Sequence, residues 1–189
     1  MKTDIILAGV GGQGILSIAA IIGEAALEDG LFMKQTEVHG MSQRGGDVQS
    51  HLRISDRKIA SDLIPLGNAD IIISLEPLEA LRYLPYLKKD GWVVTNSIPF
   101  KNISVYPEPE QIMAIYNKLP NKIITDVEQI AKDLKTPRSG NVVLLGVASR
   151  YLPIDFLKLE NGLRRVFGKK GQDVVEMNLR ALSAGAGKN

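Results

Sequence analysis

The feature that most constrains this chain is Leu7-Ala8-Gly9-Val10-Gly11-Gly12-Gln13-Gly14, a glycine run that follows a short apolar stretch and leads into a helical pattern. Ile5-Ile6-Leu7-Ala8 is continuous rather than alternating, as in a strand buried on both faces of a parallel sheet. Past the glycines, Ile15, Ile18, Ala19, Ile22, Ala25 and Ala26 recur at helical spacing as far as Gly30. Strand, turn and helix together make a Rossmann-like βα unit. Gly9, Gly11 and Gly14 fit G-x-G-x-x-G, where the missing Cβ atoms permit a tight turn and close approach of backbone to a pyrophosphate. Unpaired N–H groups at the helix start, aided by the helix dipole, favour an anion there.

Two readings of this turn stay open, a phosphate-bearing ligand or a plain structural turn. A nicotinamide site also needs an acidic residue about 20 positions on, at the end of the second strand, to hold the ribose hydroxyls. The second strand is expected over Met33 to Val38, and its sole carboxylate, Glu37, comes later than that spacing asks. Asp29 falls on the end of the helix instead. The turn therefore argues for an anion more than for NAD.

Composition removes several classes of function. With 189 residues, 44% of them hydrophobic and 23% charged, the chain fits one soluble globular domain over 1–189. A net charge of +2 without a basic block gives no field to draw in nucleic acid. Neither a membrane-spanning apolar stretch nor an N-terminal signal pattern is visible, so a cytoplasmic location is expected. The absence of cysteine excludes disulfides, thiol nucleophiles and cysteine-ligated clusters together. His39 and His51, the only two histidines, lack a spacing that pairs them on a metal, so no metal site is expected.

The remaining pattern alternates strands and helices, which points to a three-layer α/β/α fold with a mostly parallel sheet. Val48, Ser50, Leu52 and Ile54 alternate with Gln49, His51, Arg53 and Ser55, the pattern of a half-buried strand with one polar face. A turn at Ser55-Asp56-Arg57-Lys58 and a short return strand at Ile59-Ala60 make the sheet mixed. Further strands are expected at Ala69–Leu75, Gly91–Asn96, Ile103–Tyr106 and Lys122–Thr125. Helices are expected after Glu76-Pro77, over Pro109–Asn117, and after a capping box at Thr125 and Glu128. Asn141 is a candidate cap for a helix over Val142–Arg150, two more helices follow, and the Ala184–Asn189 tail is expected to fray.

Both glycine-rich turns, 9–14 and 40–46, follow strands, so they are expected to line one crevice beyond the strand ends. Arg44-Gly45-Gly46 carries the strongest chemistry of the second turn. A guanidinium offers a planar fork of donors for a carboxylate or phosphate, and adjacent glycines let backbone amides reach the same anion. The competing reading is a solvated arginine before a hairpin. His39 reads equally as a loop hydrogen-bonder, and Ser42 lacks the His-acid context of a nucleophile.

At this point the residues resemble a family. Ala8-Gly9-Val10-Gly11-Gly12-Gln13-Gly14 and Thr36-Glu37-Val38-His39-Gly40-Met41-Ser42-Gln43-Arg44-Gly45-Gly46 resemble the gamma-type domain of 2-oxoacid:ferredoxin oxidoreductases, in its indolepyruvate-type branch. Ser74-Leu75-Glu76-Pro77-Leu78-Glu79-Ala80-Leu81-Arg82 and Asn141-Val142-Val143-Leu144-Leu145-Gly146 extend the likeness, which runs from about residue 3 to residue 180. It implies CoA-dependent oxidative decarboxylation of an aryl 2-oxoacid with reduction of ferredoxin. Thiamine diphosphate and [4Fe-4S] clusters would then sit on a larger alpha subunit, because this chain lacks both a Gly-Asp-Gly start and cysteine. The resemblance assigns Gly9, Gly11, Gly12, Gln13 and Gly14 to a cofactor-side wall. It assigns His39, Ser42, Arg44, Gly45 and Gly46 to an oxoacid or coenzyme A anion, with Arg44 as the candidate catalytic residue. Two other readings are a stand-alone nicotinamide- or flavin-binding oxidoreductase and a noncatalytic assembly subunit.

Overall fold

The computed structural model describes residues 1–39, 45–101 and 103–188, apart from the side chain of His39. Its elements are β1 (Lys2–Val10), α1 (Ile15–Glu28), β2 (Phe32–His39), β3 (Asp47–Ser55), β4 (Ala69–Ser74), α2 (Pro77–Arg82), β5 (Leu87–Asn96), α3 (Pro109–Tyr116), β6 (Lys122–Thr125), α4 (Val127–Asp133), α5 (Gly140–Ala148), α6 (Phe156–Phe167) and α7 (Gln172–Gly185). The six strands form one sheet in the order β2-β3-β1-β4-β5-β6. Strands β1, β4, β5 and β6 run parallel, and β3 runs antiparallel to both β1 and β2. The sheet is mixed as expected, for a different reason. Strand β3 is itself the reversed strand, whereas Ile59-Ala60 and Ile103–Tyr106 form no strand. Val105 is 83% exposed, so that segment has no face to bury against a neighbour.

Period-two alternation splits the sheet between two helical layers. Ile5, Leu7, Ile71, Ile73 and Val94 pack under α1, α4, α5, α6 and α7. Ile6, Ala8, Ile72 and Val93 pack against Ala80 of α2 and against Ile112 and Tyr116 of α3. Cover on both faces explains why the parallel strands read as continuous apolar runs. The tail expected to fray is instead helix α7 as far as Gly185. A Cβ on Gly185 would lie 2.0 Å from the Val143 carbonyl oxygen, and one on Gly146 would lie 2.2 Å from that of Leu182. Paired glycines thus let α5 and α7 touch backbone to backbone.

The polar face of β3 is buried rather than solvated. His51, Arg53 and Ser55 are 5%, 8% and 7% exposed, beneath the segment 56–66 that connects β3 to β4. Arg53 donates from Nε to Asp4 Oδ1 at 2.8 Å and from Nη2 to Asp4 Oδ2 at 3.1 Å. Its Nη1 bonds the carbonyls of Ser61 and Leu63 at 3.0 and 2.8 Å, so every nitrogen of this buried guanidinium has a partner. His51 Nδ1 accepts from the Ile64 amide at 3.0 Å, which requires the neutral ring. Burial and then the Arg53 charge hold its pKa below the usual histidine value.

A carboxyl edge with two sides

Every parallel strand ends at one edge, and β3 starts there. The first glycine turn is built by its own side chain. Gln13 Oε1 accepts from the Val10 amide at 2.7 Å, while Nε2 donates to the Leu75 carbonyl at 3.2 Å, tying the end of β1 to the exit of β4. A Cβ on Gly9 would sit 2.9 Å from that Gln13 Oε1, so glycine is needed for the close approach. Gly12 and Gly14 have φ of 102° and 86°, the left-handed side that glycine tolerates. Helix α1 then starts with no side-chain cap and no acid in its first turn. The Gln13 carboxamide, expected to face a ligand, bonds backbone on both of its atoms.

The two glycine motifs meet. The Gly11 amide donates to the Gly46 carbonyl at 2.8 Å and the Gly45 amide to the Gly11 carbonyl at 3.4 Å, prolonging the β1–β3 ladder past Val10 and Asp47. Expectations for the His39 side chain, Ser42 and Arg44 lie outside the described residues. Beside Gly46, the Asp47 carboxylate accepts from the Tyr83 hydroxyl at 3.1 and 3.2 Å. Burial and that neighbouring charge push Tyr83 far above its ordinary pKa. Glu79, 3% exposed, is raised by burial, with Asp47 and Glu76 adding and its 2.9 Å bond from Arg82 Nε opposing. Glu76 caps α2 by accepting from the Glu79 amide at 2.7 Å, and also accepts from the Tyr106 hydroxyl and, at 3.4 Å, the Phe100 amide. It thereby tethers the loop after β5 to the end of β4. Acidic groups dominate this side.

Across the first turn lies a cleft of about 510 Å³ that Gly12 and Gln13 line and the described residues of the second motif do not. Of the second motif, Gly45 and Gly46 adjoin the first turn without lining this cleft, and residues 40–44 lie outside the described residues. Two asparagines frame it. Asn96 Oδ1 accepts from the Val127 amide at 3.3 Å and its Nδ2 donates to the Ile98 carbonyl at 3.1 Å. Asn141 Nδ2 donates to the Gly14 carbonyl at 3.2 Å, joining the starts of α1 and α5. Asn141 is thus not the helix cap the sequence suggested, because α5 already starts at Gly140, after Ser139. The cap of α4 also shifts by one, to Asp126, which accepts from the Gln129 amide at 2.8 Å. Thr125 is unavailable for that role because its backbone still belongs to β6, paired with Asn96.

Sequence reasoning missed the cations of this cleft, Lys132 and Arg138. Lys132 ends α4, which closes with bonds from the Thr136 amide to the Ala131 carbonyl and from the Lys135 amide to the Lys132 carbonyl, both 2.8 Å. That closure puts Lys135 at φ 59°, a place usually held by glycine, and turns the chain so that Arg138 faces the cleft. A lysine in the glycine position hid the helix end. Among the described residues no group of three or more His, Asp or Glu side chains is placed to hold a metal ion, and no helix is long and apolar enough to cross a membrane.

The strand order bears on the dinucleotide reading. β3 lies between β1 and β2, so Glu37 is two strands from the first glycine turn, about 9–10 Å in the hydrogen-bonding direction, rather than beside it. The acid at this edge of neighbouring β3 is Asp47, opposite Val10, and its carboxylate accepts from the Tyr83 hydroxyl.

Comparison with known proteins places the chain. Residues 4–187 match the family model for pyruvate ferredoxin/flavodoxin oxidoreductase. The chain is 37% identical to the indolepyruvate oxidoreductase subunit IorB of Archaeoglobus fulgidus, with 98% of this chain and 94% of that protein covered. It is 38% identical to the IorB subunit of Pyrococcus horikoshii, with 96% and 93% covered. The crystal structure of the pyruvate oxidoreductase subunit PORC from Thermotoga maritima superposes with a TM-score of 0.73 at 22% identity, over 99% of this chain and 96% of that one, and so shares the fold. The chain belongs to the pyruvate ferredoxin/flavodoxin oxidoreductase family, as a subunit of a 2-oxoacid:ferredoxin oxidoreductase.

Proposed function

We propose that this chain is the smaller, one-domain subunit of an enzyme that converts an aryl 2-oxoacid of the indolepyruvate kind, coenzyme A and oxidised ferredoxin into acyl-CoA, carbon dioxide and reduced ferredoxin. The observation that carries this reading is the bond from Gly11 to Gly46, which draws the two family motifs into one wall at the carboxyl edge. The IorB relatives support the choice of substrate class. The chain does not fit the redox and thiamine groups of such an enzyme. It has no cysteine for an iron–sulfur cluster, and its described residues offer no acidic cluster for the metal that a bound diphosphate requires. Those groups belong on a larger alpha subunit, with ferredoxin as the electron acceptor and the cytoplasm as the setting. In the assembled site, Gly9, Gly11, Gly12, Gln13 and Gly14 form the backbone wall. His39, Ser42, Arg44, Gly45 and Gly46 face the anionic end of oxoacid or coenzyme A, and Arg44 makes the charged contact. A noncatalytic assembly role is the second reading, favoured by the Gln13 carboxamide, which spends its bonds on the chain's own backbone.

The test is co-expression with a thiamine-binding subunit and an assay of CoA-dependent electron-acceptor reduction across several 2-oxoacids. A charge-assisted bond contributes about 1.5–3 kcal/mol, so Arg44→Ala should raise KM for oxoacid or for coenzyme A roughly 10- to 100-fold. Unchanged KM for both assigns the chain to assembly alone, and full activity without it overturns the reading.

A further inference from the structure

Strand β2 is the outermost strand of the sheet, with β3 as its strand partner. Such a strand carries a row of N–H and C=O groups on its far side, and proteins ordinarily guard that side with proline, a bulge or an outward lysine. β2 has eight residues, no proline and an unbroken register with β3. Its lysine, Lys34, is turned onto the Ala60 carbonyl at 3.0 Å, and the Thr36 hydroxyl bonds Asp62, so both side chains are held by the segment that covers β3. The same face of β2 presents Phe32 and Val38, which are 48% and 49% exposed. Beside Phe32 lies a groove of about 460 Å³ that Lys58 and Ile59 also line. An outer strand with one large apolar side chain near each end is shaped for a second strand.

We propose that β2 is the contact between two copies of this chain, paired antiparallel about a two-fold axis at Gln35, so that two six-stranded sheets become one of twelve strands. An axis perpendicular to the sheet keeps every side chain on its own face and sets opposite each other the residues equally distant from Gln35. Phe32 of each copy then meets Val38 of the other, next to Ile59, and Lys34 meets Thr36. The other registers are poorer. Moving the axis to Lys34 sets two lysines face to face, and moving it to Thr36 carries Phe32 past His39, the last residue of β2. An axis between two residues would oppose side chains of different faces. At Gln35 the whole strand is used, with about six to eight backbone hydrogen bonds and the apolar pair formed twice. The two carboxyl edges, with Gly11 and Gly46, then point to opposite ends of the joined sheet, and the pairing covers neither.

Sedimentation velocity on the intact chain measures the association, and a dimer is expected at or below about 100 μM. Each substitution acts on both copies, so Phe32→Glu alone and Val38→Lys alone should each raise the dimer dissociation constant at least about tenfold. Both positions are half-exposed in the single chain, so the fold is kept, checked by melting curves. In the double variant Phe32→Glu/Val38→Lys the opposite charges face each other at both ends of the pairing, and the dissociation constant should return to within about tenfold of the native value. Leu157→Lys, at a 62% exposed position on α6, should leave it unchanged. A chain that stays monomeric at about 100 μM, single variants without effect, or a double variant no tighter than the single ones overturns the proposal. A monomer whose single variants lose the larger subunit in co-expression does so too, by assigning the edge to a strand of that subunit. The readout is self-association of this chain alone, so it and the proposed activity can fail independently.

Discussion

Replacing Gly14 by alanine separates backbone strain from a specific contact at the start of α1. At φ 86° an L residue is disfavoured by about 1–2 kcal/mol relative to glycine. The new Cβ would also stand 2.6 Å from Asn141 Nδ2, so that amide must swing away and its 3.2 Å bond to the Gly14 carbonyl is lost, costing about 1 kcal/mol. Gly14→Ala should therefore destabilise by about 2–3 kcal/mol, and Asn141→Ala alone by about 1 kcal/mol. In the double variant the bond is already gone and only the strain is added, so the total stays at about 2–3 kcal/mol rather than the additive 3–4. The coupling of about 1 kcal/mol is the measurable quantity. Urea unfolding followed by the fluorescence of Trp92, stacked on Tyr151 with ring centroids 4.2 Å apart, provides it. Gly12→Ala is the control: φ is 102° but nothing lies within 4 Å of its Cβ, so it should show strain and no coupling to Asn141→Ala. Additive effects of Gly14→Ala and Asn141→Ala, within about 0.5 kcal/mol, would refute the claim that Asn141 joins the two helix starts.

Two further outcomes follow from groups away from the glycines. Because the folded pKa of His51 is lowered, its contribution to stability is complete above the unfolded value near 6.5. That contribution is lost as pH falls from there through the folded value, at up to about 1.4 kcal/mol per pH unit. The stability difference between the native chain and His51→Gln should shrink between about pH 6.5 and 5, and a constant difference in urea unfolding contradicts a neutral buried ring. Lys135→Gly places glycine at the left-handed end of α4, where φ is 59°, and should stabilise the chain by about 1 kcal/mol, raising Tm by about 2–4 °C. A lower Tm would mean that the lysine side chain stabilises more than the backbone strain costs.

What the sequence shows of this fold is what local pattern controls. The buried run Ile5–Ala8, the stripe Ile15 to Ala26 and the proline opening α2 all lie where periodicity puts them, since each depends on a few neighbouring residues. Failures occur where the partner is distant in sequence. Nothing near Arg53 shows that Asp4, with Ser61 and Leu63, will take its donors and turn a polar strand face inward. Nothing near Asn141 shows that Gly14, 127 residues away, competes for its amide against a capping role. The same limit applies to the candidate site. Two glycine motifs are legible because glycine is a local signal, whereas Lys132 and Arg138 gain meaning only once β4, β5 and α5 surround them.

Strand order explains why a turn of dinucleotide type serves a different wall here. In a Rossmann unit the strand that follows the first helix returns beside the first strand and sets its acid next to the ribose. In this chain α1 delivers β2 to the sheet edge and β3 folds back into the vacant place beside β1. That single insertion has two consequences. It moves Glu37 one strand further from the turn, and it brings the end of the second glycine motif onto Gly11, in hydrogen bonds that lengthen the ladder. The side of the turn where a ribose would lie thus becomes protein backbone flanked by Asp47, and the open volume moves to the β4 side, where Lys132 and Arg138 stand. The glycine spacing still lets backbone pass close at the turn, and the neighbouring strand decides on which side of it open volume remains.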